Sequence, residues 1–353
     1  MKNSINPKAG KEARALLKFL YDIKGKYLLS GQHNYISSGS KWSEKVHEIT
    51  GKIPAVWGGD FGFCFKGENP SEYHHCGAMN LTDPSEPVAI TDITPESGRE
   101  RLIQLVEEKH KQGFIITLMW HSCFPPDEDY CDYPDIWTWD KRPDKQTWQE
   151  LTTPGTDLYS KWEKGVDKIA GYLKQLQGKK IPVLWRPYHE MNGTWFWWCN
   201  QKGKAGFAKL WKNIFRRLTE FHQLNNLIWV WNTNAPRNIP GDEAYAYEDY
   251  FPGIDFVDVL AADVYADDYK QSHHDDLLKL AEGKPIALAE VGGLPDINII
   301  KNQPEWTWFM TWGNFITDAN EPQKVKRVYD FEKVLNFDNI KNDKETNWRL
   351  QGK

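Results

Sequence analysis

Cysteine is scarce in this 353-residue chain: it has Cys64, Cys76, Cys123, Cys131 and Cys199, and no two of them form a CxxC pair. An odd count without paired spacing argues against a disulfide-stapled mini-scaffold and reads as buried free thiols. A single bridge, such as Cys64 to Cys76 or Cys123 to Cys131, is the alternative. No run of 18 apolar residues occurs, so nothing in the sequence is built to span a membrane. Positive charge is not in excess. The 44 Lys and Arg against 49 Asp and Glu leave a net charge of −5, which argues against nucleic acid as a partner because phosphate backbones select basic surfaces. No GxGxxG follows an apolar run, and the P-loop, GxSxG, HExxH and EF-hand patterns are missing. His74-His75-Cys76 and His273-His274 lack the spacing of metal ligands. The expectation is therefore no cofactor and no metal.

Aromatic residues are plentiful. They make up 14% of the chain, with 18 Trp, more than packing a core requires, and flat aromatic faces are what pyranose rings stack on. Short β-branched and aromatic runs alternate with helical patterns, the signature of βα units. The runs are Lys26–Ser30, Ile53–Trp57, Phe114–Trp120, Ile181–Trp185, Leu227–Trp231, Phe256–Ala262, Pro285–Ala289 and Trp308–Trp312. Several are apolar without a break, as strands buried on both faces are. Apolar stripes at helical spacing predict helices over Lys8–Ile23, Glu96–Lys111, Leu158–Gln177, Phe207–Phe221 and Gln323–Leu335. Eight strands alternating with helices predict a single-domain α/β fold, a (β/α)8 TIM barrel with enlarged βα loops. It would span residues 1–340, followed by a C-terminal tail over 341–353. A doubly wound open sheet is the runner-up. The long segments 58–95 and 121–157 read as functional loops.

A barrel places its chemistry at the C-terminal ends of its strands. Just past the runs stand His33, Asp60, His121, Glu190, Asn232, Asp263 with Tyr265, Glu290, and Trp312 with Asn314. Two glutamates are distinctive because a charge directly after an apolar strand is costly to desolvate unless it is paired or functional. Glu190 ends the run in Trp185-Arg186-Pro187-Tyr188-His189-Glu190, and Glu290 follows Ala287-Leu288-Ala289. Two carboxylates facing each other across a barrel mouth are what glycoside hydrolysis requires. Taken singly, Glu190 also reads as a structural partner of Arg186, and Glu290 as a loop cap.

The segment from Arg186 to Gly193, with Trp195, resembles glycoside hydrolase family 26, the β-mannanase family of the clan-A barrels. Gly58-Gly59-Asp60-Phe61, Trp120-His121, Asp263-Val264-Tyr265, Ala289-Glu290-Val291 and Trp312 match in the same order, over nearly the whole chain. The resemblance implies a retaining endo-β-1,4-mannanase acting on β-mannan or galactomannan. Glu190 would be the acid/base and Glu290 the nucleophile, supported by Tyr265, Arg186 and His189. It implies sugar contacts from His121, Trp195 and Trp312. Asp60, Asp263 and the loop residues Trp137 and Trp139 are further candidates, with loop anchoring or core packing as their alternatives. The family often carries a positive residue directly after the last-strand Trp, whereas this chain has Gly313.

A β-1,3-xylanase, a mixed-linkage glucanase and an exo-acting mannobiohydrolase fit the same two carboxylates, since loops set the sugar. A non-catalytic polysaccharide-binding protein is the alternative from another class, and an enzyme of small metabolites, with a closed pocket, is a third. A polysaccharide substrate implies a secreted or cell-surface monomer. The first residues contain no apolar signal segment, so the expectation is a signal peptide lying outside this sequence. The sequon Asn192-Gly193-Thr194 lies two residues past Glu190, where a glycan would obstruct the mouth; this argues against synthesis in a eukaryotic secretory pathway.

Overall fold

The computed structural model describes residues 4–35, 39–62, 95–125, 136, 142–342 and 348–350. The apolar runs become parallel strands. They are β1 (Leu28–Leu29), β2 (Gly31–His33), β3 (Val56–Asp60), β4 (Ile115–Trp120), β5 (Val183–Pro187), β6 (Leu227–Asn234), β7 (Val259–Val264), β8 (Ile286–Val291) and β9 (Trp306–Thr311). β1 and β2 are halves of one stave, interrupted at Ser30. Each stave pairs with the next. β9 then pairs with β8 and returns to the first stave through Leu29↔Trp308 and Gln32↔Thr311. The sheet is therefore a closed eight-stave (β/α)8 barrel, and the open-sheet alternative is excluded.

Period-two alternation is present but hidden in the sequence, because both strand faces are buried. One buried cluster joins Leu29, Val56, Ile115, Leu184, Ile228, Val230, Val259, Ala261, Ala287, Ala289, Trp308 and Met310, which fill the barrel. The residues between them, such as Trp57, Ile116, Trp185, Trp229, Leu260 and Leu288, pack in a second cluster with the helices. Helix α1 (Lys11–Ile23) sends Ala13, Leu16, Leu17, Leu20 and Ile23 into the barrel cluster at helical spacing. It plugs the end opposite the strand C-termini.

Several elements differ from their sequence-based expectations. β5, β6, β7 and β8 run two or three residues further than the apolar runs, since a barrel interior admits polar side chains once they are hydrogen-bonded. The helix expected over Phe207–Phe221 is regular only through Arg216, and Arg217–Phe221 widens into a π turn. There Arg217 bonds Glu163 and Asp167, each at 2.7 Å. The helix expected to reach Leu335 stops at Tyr329, because Val334–Leu335 pairs with β1 instead. Ile340–Asn342 and Trp348–Leu350, mostly in the segment read as a tail, form an antiparallel pair with Trp348 buried. Cys199 is a free buried thiol, whereas Cys123 is disulfide-bonded, which corrects the all-thiol reading. Cys64, Cys76 and Cys131 lie outside the described residues. Among the described residues no helix is long and apolar enough to cross a membrane.

Asp258, at the plugged end, ties the N-terminal segment to the barrel. Its oxygens accept the Ile5 N–H at 2.9 Å and the Trp229 N–H at 3.0 Å. Burial outweighs these bonds and pushes its carboxyl up to about 6. A carboxyl raised in the folded state favours folding most below its ordinary value, and that contribution is lost as pH rises through the folded value. Asp258→Asn removes this titration. Urea unfolding of both proteins should show the wild type losing up to about 3 kcal/mol relative to the variant between pH 4 and pH 7. A difference that stays flat over that range would refute the shift.

Candidate active site

The mouth of the barrel is built by an unusual turn. After β5 the chain passes Tyr188 (φ 50°) and Glu190 (φ 53°), both in the left-handed region that side chains with a Cβ rarely adopt. Such strain persists only where surrounding bonds over-determine it. Here the Glu190 N–H donates to the Asn232 carbonyl at 2.8 Å. The Glu190 carbonyl accepts from Gly193 N–H at 2.9 Å and from the Cys199 thiol at 3.1 Å, and Trp198 Nε1 donates to the His189 carbonyl at 2.7 Å. Gly193 lets the Trp195 ring fold back: a Cβ at that position would lie 2.4 Å from the indole. Trp195 Nε1 thereby donates to Glu190 Oε2 at 2.7 Å.

Glu290 is aimed by a different device. Simple alternation along β8 would point it outward with Ile286 and Leu288. The pairing with β7 steps from Ala262↔Leu288 to Asp263↔Glu290, so β8 carries one extra residue. A bulge of this kind re-aims the side chain that follows it. Glu290 Oε1 accepts from Arg186 Nη1 at 3.0 Å, and Oε2 accepts from the Tyr265 hydroxyl at 2.9 Å. His189 Nε2 lies 3.9 Å from Oε1.

Glu190, Glu290 and Asp263 each place a carboxyl oxygen within 4.8 Å of the others. All three are buried, and their surroundings separate them. Burial raises Glu190, and its neutral donors Asn234 and Trp195, with Arg237 further out, oppose this only in part. Burial and the nearby Glu190 raise Glu290 to about 7, with Arg186 opposing them only in part. Asp263 is pushed well above the ordinary carboxylate range by burial and by repulsion from both glutamates. Its Oδ1 accepts from Asn232 Nδ2 at 2.8 Å, and Asn232 Oδ1 in turn accepts from Arg186. The geometry therefore pairs Glu290 with a cation, while Glu190 is bonded by neutral donors, so an anion is better supported at Glu290.

Two of the histidines, His189 and His33, are uncharged supports. Burial, reinforced by His121, Arg186 and His33, holds His189 well below its usual value. Burial likewise lowers His33 to about 3, and its ring stacks on Trp312 at 3.8 Å. His121 meets His189 edge-on at 4.6 Å. Asp60 accepts from the His121 N–H at 3.1 Å and the Gly62 N–H at 2.6 Å, and it bonds the His121 ring. Burial pushes Asp60 up, but His121 and these donors outweigh it and hold the carboxyl below the usual range.

A cleft of about 670 Å³ opens above these groups. It is lined by His121, His189, Glu190, Trp195, Tyr265, Glu290 and Trp312, all anticipated from sequence, and by Phe196, Asn234, Arg237, Asp242 and Phe315, which were not. Arg186, Asp60 and Asp263 sit beneath that lining. Trp137 and Trp139 lie outside the described residues. Asn234 was legible in principle: it lies on the same strand face as Asn232, two residues on. Arg237, past the strand end, carried no such signal. Gly313 (φ 41°) cannot take a larger residue, because a Cβ there would lie 2.0 Å from the Tyr35 hydroxyl.

The family model described as glycosyl hydrolase family 26 matches residues 5–69 and 90–339. A mannan endo-1,4-beta-mannosidase of Thermothelomyces thermophilus is 33% identical over 95% of this chain and 62% of its own length. The protein of the same name from Bacillus subtilis is 34% identical over 96% of this chain and 89% of its own. This chain spans about half the length of the related Piromyces sp. proteins. Among solved structures, GH26A from Muricauda sp. superposes with a TM-score of 0.83 at 44% identity, covering 95% of this chain and 99% of that one. The Podospora anserina GH26-CBM35 beta-(1,4)-mannanase gives 0.72 at 30% identity, covering 96% and 68%. With the family model matched over most of its length, the chain belongs to glycosyl hydrolase family 26.

Proposed function

We propose that this protein is a retaining endo-β-1,4-mannanase that hydrolyses β-mannan or galactomannan. The observation that carries the reading is the pairing of Glu190 and Glu290, with oxygens within 4.8 Å across one cleft and a cation beside only one of them. Retaining glycosidases place their carboxyls about 5–5.5 Å apart, and inverting ones leave room for a water between them, at roughly 6.5–9.5 Å. The spacing therefore supports direct attack by one carboxylate. Two of the relatives described above are mannan endo-1,4-beta-mannosidases, which supports the linkage and the mode of action. The open cleft suits a chain better than a small metabolite.

In this reading Glu290 attacks the anomeric carbon. The Tyr265 hydroxyl and Arg186 hold it as an anion in one rotamer. Glu190 gives its proton to the glycosidic oxygen, and the leaving saccharide departs as an alcohol. The covalent glycosyl-enzyme is then opened by water, whose proton returns to Glu190 while Glu290 is released. Trp312, backed by His33, offers an aromatic face to the sugar on one side, and Trp195 does so on the leaving-group side. His121, fixed by Asp60, and neutral His189 offer hydrogen bonds to sugar hydroxyls. Residues 1–340 carry this chemistry as one domain, and the polysaccharide substrate makes a secreted or cell-surface monomer the fitting form.

Product analysis over mannan, galactomannan, β-1,3-xylan and mixed-linkage glucan tests the substrate. Short mannooligosaccharides from the first two are the expected result, and cleavage of xylan or glucan alone would reject it. Glu190→Gln should lower mannan turnover by about 10²–10⁴-fold, while an activated aryl β-mannoside, whose leaving group needs no proton, still forms the glycosyl-enzyme. Equal loss on both substrates would remove the acid role. A mechanism-based 2-fluoro-β-mannoside should label Glu290, as read by mass spectrometry of peptides; label on another residue would reassign the nucleophile.

A further inference from the structure

One guanidinium stands behind both donors to Glu190. Asn234 Nδ2 donates to Oε1 and Trp195 Nε1 to Oε2, each at 2.7 Å. Arg237 Nη1 donates to Asn234 Oδ1 at 2.6 Å, and the guanidinium lies 5.0 Å from the centroid of the Trp195 ring. Arg237 is itself fixed: Nε donates to the Asp242 carbonyl at 3.0 Å and Nη2 to its carboxylate at 2.6 Å. The backbones of Arg237 and Ala244 pair across the same loop.

The bonds at Asn234 divide into two sets. Its backbone is held by Asn192, which accepts from the Asn234 N–H and donates to the Asn234 carbonyl, both at 2.8 Å. Its side chain is oriented by Arg237. A primary amide can turn over to present either its oxygen or its NH₂ group. A cation at Oδ1 selects the orientation that offers NH₂ to Glu190. That orientation favours the carboxylate, whereas the reversed amide would favour the acid. The stacking of Arg237 on Trp195 steadies the second donor in the same way.

We propose that Arg237 is a positioning residue that sets how tightly Glu190 holds its proton, by fixing the Asn234 amide and the Trp195 indole. The proposal rests on Glu190 being the acid/base. That group must lose a proton in the first half of the turnover and regain one in the second. Glu290, Tyr265 and Cys199 also face Glu190 without supporting its anion, whereas a hydrogen bond with Asp263 favours it. Arg237, balanced by Asp242, is the cation on the Glu190 side, while Arg186 serves Glu290. Burial alone would hold the proton too firmly for Glu190 to act as a base, and Arg237 with Asn234 offsets it.

The test uses Arg237→Ala and Arg237→Lys in the full chain, beside Glu190→Gln. The readouts are the pH profile of kcat/KM on a mannooligosaccharide and kcat on an activated aryl β-mannoside, with thermal unfolding to check the fold. In Arg237→Ala the alkaline limb should move up by roughly one pH unit. The aryl-mannoside kcat, limited by the step in which Glu190 acts as base, should fall roughly tenfold with a burst of released phenol. Arg237→Lys keeps the charge and should restore part of both, and it carries the test if the alanine variant does not fold. A limb that vanishes in Glu190→Gln but stays at its wild-type pH in the Arg237 variants overturns the proposal alone. A limb that persists in Glu190→Gln does not report Glu190 and overturns the acid/base reading with it.

Discussion

The buried ion pair between Arg186 and Glu290 is the interaction on which the mouth of the barrel depends. Both groups are almost fully removed from water, and removing one partner of such a pair costs about 3–5 kcal/mol because the other charge is left uncompensated. Arg186 can satisfy one anion, not three. With Glu190 and Asp263 crowded into the same space, the cation singles out which carboxyl is ion-paired. The cluster of three acids thereby has one member paired with a cation and two that are not. The division of labour expected of a nucleophile and an acid follows from where one guanidinium lies.

The surrounding residues keep that charge pattern from relaxing. His189 and His33 are buried and neutral, so they add no competing cation near Glu290. Asp60 is engaged by His121 and two backbone N–H groups, so its charge stays away from the cleft. The left-handed residues Tyr188 and Glu190 are anchored by bonds from Asn232, Gly193, Cys199 and Trp198, which hold a turn the backbone would otherwise abandon. Rigidity matters because a displacement of about 1 Å at reacting groups costs on the order of a hundredfold in rate.

The departure at Gly313 has a structural counterpart. Tyr35, bonded to Asn314 at 2.9 Å and edge-on to Trp312, fills the place a side chain at 313 would take. Beside Trp312 the chain thus carries a phenol and an amide rather than a cation. On the other side, Arg237 and Asp242 bring a charge pair to the lining.

The sequence by itself determined the barrel and most of the lining. Strand and helix periods are local, and a side chain directly after an apolar strand is bound to reach the mouth; this made Glu190, Glu290, His121, Tyr265 and Trp312 legible. The tertiary structure alone decided which of these carry charge and how they are aimed. The bulge that turns Glu290 inward is a property of the β7–β8 register, which alternation along β8 cannot reveal. The bond from Asn234 to Glu190 needs β6 to run three residues past its apolar stretch, and Arg237 reaches it from a loop. Protonation depends on distances among groups far apart in the chain, and those distances exist only once the cylinder has closed.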